Sequence, residues 1–172
     1  MNNVFTVKRL CRAGIIAALY VALTSAFAPF AFGPIQVRPA EALCILPLFF
    51  PEAVPALYVG CMLANLTSPY FVYDVFIGSL ATLLAALGTY LVGRYVKKDV
   101  WRLIFGGLFP VACNALIIPL IIVFLCDEGI GYESMTAAYF ASVGSLALTE
   151  SIWIYGLGTP LYFTFKRLLR RD

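Results

Sequence analysis

Histidine is absent from this chain of 172 residues, and charged side chains are scarce, at 12%. Without histidine the chain lacks the side chain that most often acts as a general base or binds a transition metal. The patterns G-x-x-x-x-G-K-[ST], G-x-S-x-G and H-E-x-x-H are also missing, so the chain has no ATP-binding phosphate loop, serine-hydrolase elbow or zinc-protease motif. We predict no catalytic residue, no metal and no cofactor, and we expect that the chain is not an enzyme.

Hydrophobic residues are abundant instead, at 62%, and the mean hydropathy is +0.92. A soluble domain of this size needs far more polar surface, whereas long apolar runs with few charges indicate membrane-spanning helices. These runs recur to the end of the sequence, so the basic start followed by an apolar run is not interpreted as a cleavable signal peptide. The composition therefore predicts an all-α, multi-pass protein of the cell membrane.

The five cysteines, at positions 11, 44, 61, 113 and 126, show no metal-binding or redox spacing. Their number is odd, which does not fit a set of paired disulfides. We interpret them as small apolar residues within helices.

Eleven of the twelve basic residues form three groups, at positions 8–12, 94–102 and 166–171. The positive-inside rule places all three groups in the cytoplasm, so an even number of spans must separate them. Residues 126–134, with three acids and two glycines, have the composition of an external loop. We predict a single domain over residues 1–172, with both termini cytoplasmic and six transmembrane helices at about 10–28, 40–50, 52–67, 74–96, 103–125 and 136–165.

The second predicted helix is short, since eleven α-helical residues span only ~16 Å of a hydrocarbon core ~30 Å thick. It would have to be tilted or shielded by protein. Pro51 and Glu52 follow it and are typical of the start of the next helix.

Polar residues are concentrated toward the external side of the predicted helices. Counted at ~1.5 Å per residue, they lie roughly 18–30 Å from the cytoplasmic ends; they are Asn65, Asp74, Asn114 and Glu150. Arg38 and Glu41 lie beside the same layer, after a loop that contains Gly33 and Pro34. Ionisable groups at membrane depth are costly and are candidate functional groups, so this arrangement predicts a pocket open to the outside.

Most of these polar residues also have a structural interpretation. Asp74 is a possible helix cap, and Asn65 and Asn114 are possible interhelical contacts. Glu41 is placed to pair with Arg38 at i, i+3.

Glu150 is harder to explain structurally, because it lies well inside a long span. Trp153 follows it by three residues on the same helical face and offers either a stacking surface for a ligand or simple packing area.

The first helix carries small residues four positions apart. Ala13 pairs with Ala17 in this spacing, and Gly14 pairs with Ala18. Small residues at this spacing allow another helix to approach closely. The spacing does not decide whether that helix is internal or belongs to another subunit.

Three blocks of the chain, "QVRPAEAL", "DVFIGSLATLLAA" and "LTESIWIYGLGTPL", resemble the QueT family, and the resemblance runs over most of the chain. One departure is the loop "TSPYFVYD", where glycines are expected after the third helix. The resemblance implies the helical bundle of an S component, the substrate-binding membrane subunit of an energy-coupling factor (ECF) transporter.

The resemblance also implies a ligand and partners. The ligand would be a precursor of queuosine, a 7-deazaguanine such as preQ1 or queuine, captured from outside without direct contact with nucleic acid. The partners would be a transmembrane coupling subunit, engaged through the small residues of the first helix, and two ATPase subunits.

The residue types agree with such a ligand. A carboxylate accepts both a ring N–H and an amine, an asparagine can bind the ring carbonyl, and an aromatic face stacks on the ring. An S component for another vitamin or nucleobase, or a stand-alone facilitator of small solutes, remains the alternative. A channel is disfavoured because the inner half of the helices is almost wholly apolar.

Overall fold

The computed structural model describes residues 7–32, 36–125 and 134–169. Within these ranges the chain is helical and contains no strand. The described residues form six longer helices, which we number in chain order: α1 (Val7–Ala26), α2 (Pro39–Leu48), α3 (Ala53–Asn65), α4 (Phe71–Tyr95), α5 (Asp99–Leu125) and α6 (Met135–Leu169), with one further helical turn at Ala28–Ala31. The predicted all-helical fold is confirmed. Gly33, Pro34, Arg170, Arg171 and residues 126–133 of the predicted external loop lie outside the described residues.

Four of the described helices, α1, α4, α5 and α6, are long and apolar enough to cross a membrane. Helices α2 and α3 are apolar but shorter. Several helices of this kind in an all-helical chain confirm the expected multi-pass membrane protein. The count of six spans and the cytoplasmic position of both termini stay predictions.

The outer surface of the bundle is apolar, as a lipid-facing surface requires. Large hydrophobic side chains such as Leu19, Leu87 and Phe140 are exposed along the long helices. A soluble monomer rarely exposes contiguous apolar surface on this scale, whereas lipid tails solvate it well.

Helix α2 lies in the interior of the bundle. All ten of its residues are buried, and it packs against α1, α4, α5 and α6. It is a 3₁₀ helix rather than the α-helix expected from the sequence, and at ~2.0 Å per residue its ten residues extend ~20 Å. Its short length is thus accommodated by surrounding protein.

The C-terminal end of α2 is held by basic residues from other helices. Arg12 of α1 forms an ion pair with Glu52 at 2.6 Å, and its guanidinium lies 4.3 Å from the ring centre of Phe50. Arg102 of α5 donates a hydrogen bond to the Leu48 carbonyl. Two of the three basic groups therefore meet at this end of the bundle.

The third basic group reaches the same end through α6. Lys166 forms an ion pair with Asp99 at 2.5 Å, and the Tyr162 hydroxyl donates to the same carboxylate at 3.0 Å. The Tyr162 ring lies 4.9 Å from that of Phe49, just after α2. One end of the bundle is therefore basic, as the grouping of charges in the sequence indicates.

We expect Gly93→Ala to destabilise the protein. A Cβ atom at Gly93 of α4 would lie 2.8 Å from the backbone Cα and O of Leu48, and overpacking of this kind typically costs ~1–3 kcal/mol. Gly144→Ala in α6 is the matched control, because a Cβ there meets nothing within 4 Å and alanine favours helix by ~1 kcal/mol. Thermal unfolding of the purified proteins should show a lower Tm for Gly93→Ala and an equal or higher Tm for Gly144→Ala. Equal Tm values for wild type and Gly93→Ala would contradict the close packing of α4 on α2.

Candidate binding site

Arg38 precedes α2 and is buried, with 4% of its surface exposed. Its Nη2 donates a hydrogen bond of 2.7 Å to Oδ1 of Asn65, the last residue of α3. The expected ion pair between Arg38 and Glu41 does not occur among the pairs formed by the described residues; a backbone hydrogen bond of 3.1 Å, from Glu41 N to Arg38 O, joins the two residues. Arg38 therefore ties the start of α2 to α3.

Glu41 is fully buried in the first turn of α2. Its Oε1 accepts a hydrogen bond of 2.6 Å from the Tyr20 hydroxyl of α1, and its Oε2 accepts one of 3.1 Å from the Cys44 thiol. Sequence reasoning missed Tyr20, because a tyrosine in an apolar helix has no spacing that separates a polar contact from ordinary packing.

Asp74 is bound to the end of α3 and the loop after it. Asn65 donates from Nδ2 to the Asp74 carbonyl at 2.7 Å, and the Ser68 hydroxyl donates to the Asp74 carboxylate at 2.5 Å. Asp74 begins a π-helical turn within α4, at Asp74–Gly78, and such turns are frequent at functional sites. Its carboxylate is therefore buried against polar groups of α3 and of the following loop. Ser68, which donates to it, was not anticipated from the sequence.

Asn114 of α5 and Glu150 of α6 meet in the interior of the bundle. Asn114 donates from Nδ2 to Glu150 Oε1 at 3.1 Å, and the two residues are 0% and 3% exposed. The contact joins two helices, which agrees with one interpretation of Asn114 from the sequence. It uses only one oxygen of the Glu150 carboxylate.

The two groups of polar residues belong to one region. Glu150 lies within electrostatic reach of both Glu41 and Arg38, and α2 packs against the π-helical turn at Ile152–Leu157 that follows Glu150. Helix α2 therefore brings together the residues that the sequence singled out. We call this region the polar cluster; its members are Arg38, Glu41, Asn65, Asp74, Asn114 and Glu150.

The polar cluster contains three carboxylates and one guanidinium. The side-chain donors to these carboxylates are neutral: the hydroxyls of Tyr20 and Ser68, the thiol of Cys44 and the amide of Asn114. Burying ionised groups without a counter-charge is costly. The cluster is therefore suited to a ligand rich in hydrogen-bond donors.

Several buried polar atoms in and beside the cluster have no hydrogen-bond partner within the part of the chain that the structure describes. Three are acceptors, namely Oε1 of Gln36, Oδ1 of Asn114 and Oε2 of Glu150, and one is a donor, Nε of Arg38. Leaving such an atom unpaired typically costs ~1–3 kcal/mol. A ligand that binds these atoms would have to offer donors to the three acceptors and an acceptor to Nε of Arg38.

Trp153 follows Glu150 by three residues on α6. It is half-buried in the π-helical turn after Glu150, and no hydrogen bond or ring contact between described residues joins it to the cluster. Its predicted stacking role stays a prediction.

The small residues of α1 divide into two sets. Ala13 and Ala17 pack toward the core, and a Cβ atom at Gly60 of α3 would lie 3.1 Å from the Ala17 carbonyl. Gly14 and Ala18 are exposed, and a Cβ at Gly14 would meet nothing within 4 Å. The first pair therefore serves an internal contact, while the second faces outward.

A family model and a curated relative, both named QueT, are similar to this chain. The family described as QueT transporter matches residues 10–167 of the chain. The queuosine precursor transporter QueT of Lactococcus lactis subsp. cremoris (strain MG1363) is 38% identical over 91 residues, which cover 51% of this chain and 53% of that protein. The chain thus spans about half the length of this curated relative. No solved structure matches it significantly.

Proposed function

Because the chain belongs to the QueT transporter family, we propose that it is the substrate-capture subunit, or S component, of an ATP-driven ECF-type importer. The family consists of transporters, which confirms the expectation that the chain is not an enzyme. The proposed ligand is a 7-deazaguanine precursor of queuosine, captured from outside. The name of the Lactococcus relative, queuosine precursor transporter, supports this choice.

The observation that carries the proposal is the set of buried polar atoms around α2 that have no hydrogen-bond partner among the described residues. A 7-deazaguanine presents a ring N–H and an exocyclic amine side by side, and the free Oε2 of Glu150 and Oδ1 of Asn114 are acceptors for such an edge. The ring carbonyl would accept from Nε of Arg38. We assign Glu150 the main role, because an ionised acceptor forms the stronger hydrogen bonds.

The remaining residues predicted for the site have supporting roles in this proposal. An aminomethyl arm on the ligand would be cationic, and Glu41 or Asp74 would offset its charge. Asn65 holds Arg38 in place through the 2.7 Å hydrogen bond. Trp153 supplies an aromatic face for the flat ring.

Calorimetric titration of the purified protein tests the ligand. The panel would contain 7-aminomethyl-7-deazaguanine, 7-cyano-7-deazaguanine, queuine, guanine, riboflavin and thiamine. Saturable binding of a deazaguanine, with guanine and the two vitamins much weaker, supports the proposal. Tight binding of a vitamin or guanine instead would assign the chain to another substrate.

Uptake experiments test the partners. The chain contains no ATP-binding phosphate loop, so ATP-driven uptake would require other subunits, which we propose to be a transmembrane coupling subunit and two ATPase subunits. Uptake that stops when the ATPases are inactivated supports this assignment. Uptake by the chain alone would make it a facilitator.

A double-mutant cycle on Arg38 and Asn65 should show that these residues act together in binding. Both side chains are buried and share one hydrogen bond, so removing either partner by alanine substitution leaves the other misplaced. We expect a coupling energy of ~0.5–3 kcal/mol in the affinity for the deazaguanine, as is usual for contacting residues. The same cycle on Arg38 and Glu41, whose side chains form no hydrogen bond with each other among the described contacts, should give the smaller coupling. Strict additivity of the Arg38 and Asn65 losses would remove the pair from the site.

A further inference from the structure

Tyr20 connects the first helix to the polar cluster. It is fully buried, and its hydroxyl donates to Glu41 Oε1 at 2.6 Å. Arg12, two helical turns earlier on the same side of α1, binds Glu52 at 2.6 Å. Helix α1 is therefore attached to both ends of the segment 41–52, which includes most of α2.

The position of Tyr20 depends on close contact between α1 and α3. A Cβ atom at Gly60 would lie 3.1 Å from both the Tyr20 Cβ and the Ala17 carbonyl. A Cβ atom at position 60 would require α1 and α3 to separate by a few tenths of an ångström, and a larger side chain would require a larger separation. The glycine and the tyrosine together set the distance at which α1 reaches the cluster.

We infer that Tyr20 is a positioning residue for substrate capture, which holds the Glu41 carboxylate in its binding orientation and thereby links the position of α1 to the occupancy of the site. The inference rests on the proposed function. Because α1 is bound at two points, a displacement of α1 must either carry Glu41 with it or break the hydrogen bond from Tyr20. In the water-poor interior that bond has no ready replacement.

Thermodynamic linkage between substrate binding and the position of α1 makes this inference measurable. If substrate and α1 are coupled, then any partner that shifts α1 must change substrate affinity, and substrate must change the affinity for that partner by the same factor. The proposed partner is the energising module, which consists of the transmembrane coupling subunit and the two ATPase subunits. Its effect is the ratio of the substrate Kd measured with the isolated protein to that measured with the assembled transporter.

Tyr20→Phe is the test variant, since it removes the hydroxyl and keeps the ring. Tyr162→Phe is the matched control: Tyr162 is also fully buried and donates to a carboxylate, that of Asp99, at the basic end of the bundle. With 7-aminomethyl-7-deazaguanine as the probe, we expect Tyr20→Phe to weaken binding about tenfold and Tyr162→Phe to change it less than about twofold. We expect the module to change the wild-type Kd by about fivefold or more and that of Tyr20→Phe by much less.

Each outcome supports or overturns the inference about Tyr20. If Tyr20→Phe shows the wild-type Kd and the wild-type ratio of Kd values, Tyr20 is a packing residue and the inference is overturned. An equal loss of affinity in Tyr162→Phe would also overturn it. A raised Kd in Tyr20→Phe with an unchanged ratio of Kd values would overturn the link to α1. Should Tyr20→Phe be poorly folded, Gly60→Ala, which retains the hydroxyl and shifts α1 by a few tenths of an ångström, must change the affinity and the ratio in the same direction; wild-type values in that variant would overturn the inference. If wild type binds no deazaguanine, the proposed function itself fails, whatever the variants do.

Discussion

Glu150→Gln is expected to weaken binding of 7-aminomethyl-7-deazaguanine by about thirtyfold or more. Removing a charged hydrogen-bond partner from a buried site typically costs ~2–5 kcal/mol, and each ~1.4 kcal/mol is a factor of ten in affinity. The substitution keeps the size of the side chain, but it removes the charge and replaces one carboxylate oxygen by an amide NH2 group, which cannot accept hydrogen bonds from the donors of the ligand. Calorimetric titration of the purified variant measures the change.

The loss should come from binding and not from folding. An amide is cheaper to bury than a carboxylate, so the Tm of Glu150→Gln should equal or exceed that of wild type. Asp99→Asn provides the matched control, because the Asp99 carboxylate binds Tyr162 and Lys166 at the basic end of the bundle. This substitution should leave the affinity for the ligand unchanged. An unchanged Kd in a well-folded Glu150→Gln would leave Glu150 as a helix–helix contact with Asn114.

Ala18→Trp is expected to abolish uptake while leaving the affinity of the isolated protein nearly unchanged. Ala18 is exposed on α1 and faces outward together with Gly14, and an indole there would hold a partner helix away from the close approach that small residues allow. The polar cluster lies on the other side of α1, where Tyr20 points inward. The measurements are uptake by cells that express the complete transporter and titration of the purified protein.

The choice of position 18 follows from the packing of α1. Ala17→Trp would be ambiguous, because Ala17 contacts Gly60 at the internal interface and the indole would separate α1 from α3. Leu87→Trp on α4 is the control, since Leu87 is also exposed and should tolerate the larger side chain in lipid. An affinity that falls as far as uptake does in Ala18→Trp would place this face of α1 in the binding site instead.

Much of the candidate site could be predicted from the sequence, because polar residues are rare in this chain and each is costly at membrane depth. Glu150 and Asn114 stand out against apolar neighbours, and the structure brings them within 3.1 Å of each other. Arg38 stands out for a second reason, as the one basic residue outside the three basic groups. Scarcity therefore identified the members of the cluster without any knowledge of the fold.

The partners within the cluster were beyond the reach of the sequence. Arg38 binds Asn65, 27 residues away, and Glu41 binds Tyr20, 21 residues away, although the i, i+3 spacing favoured a pair between Arg38 and Glu41. Local spacing describes only what a single helix can bring together. Contacts between helices depend on the rotation of each helix about its axis and on the distance at which two helices cross.

Composition and the grouping of basic residues are enough to indicate a helical membrane protein, because both are properties of the residues that do not depend on any contact. Three features depend instead on the packing of the helices: α2 is a buried 3₁₀ helix, Ala17 faces inward and Ala18 outward, and Tyr20 reaches Glu41. These features arise where helices pack closely, and Gly60 shows the reason, since the absence of one Cβ atom allows α1 to approach α3. Hydrophobicity places the helices in the membrane, but the shape of the facing side chains decides which polar groups meet.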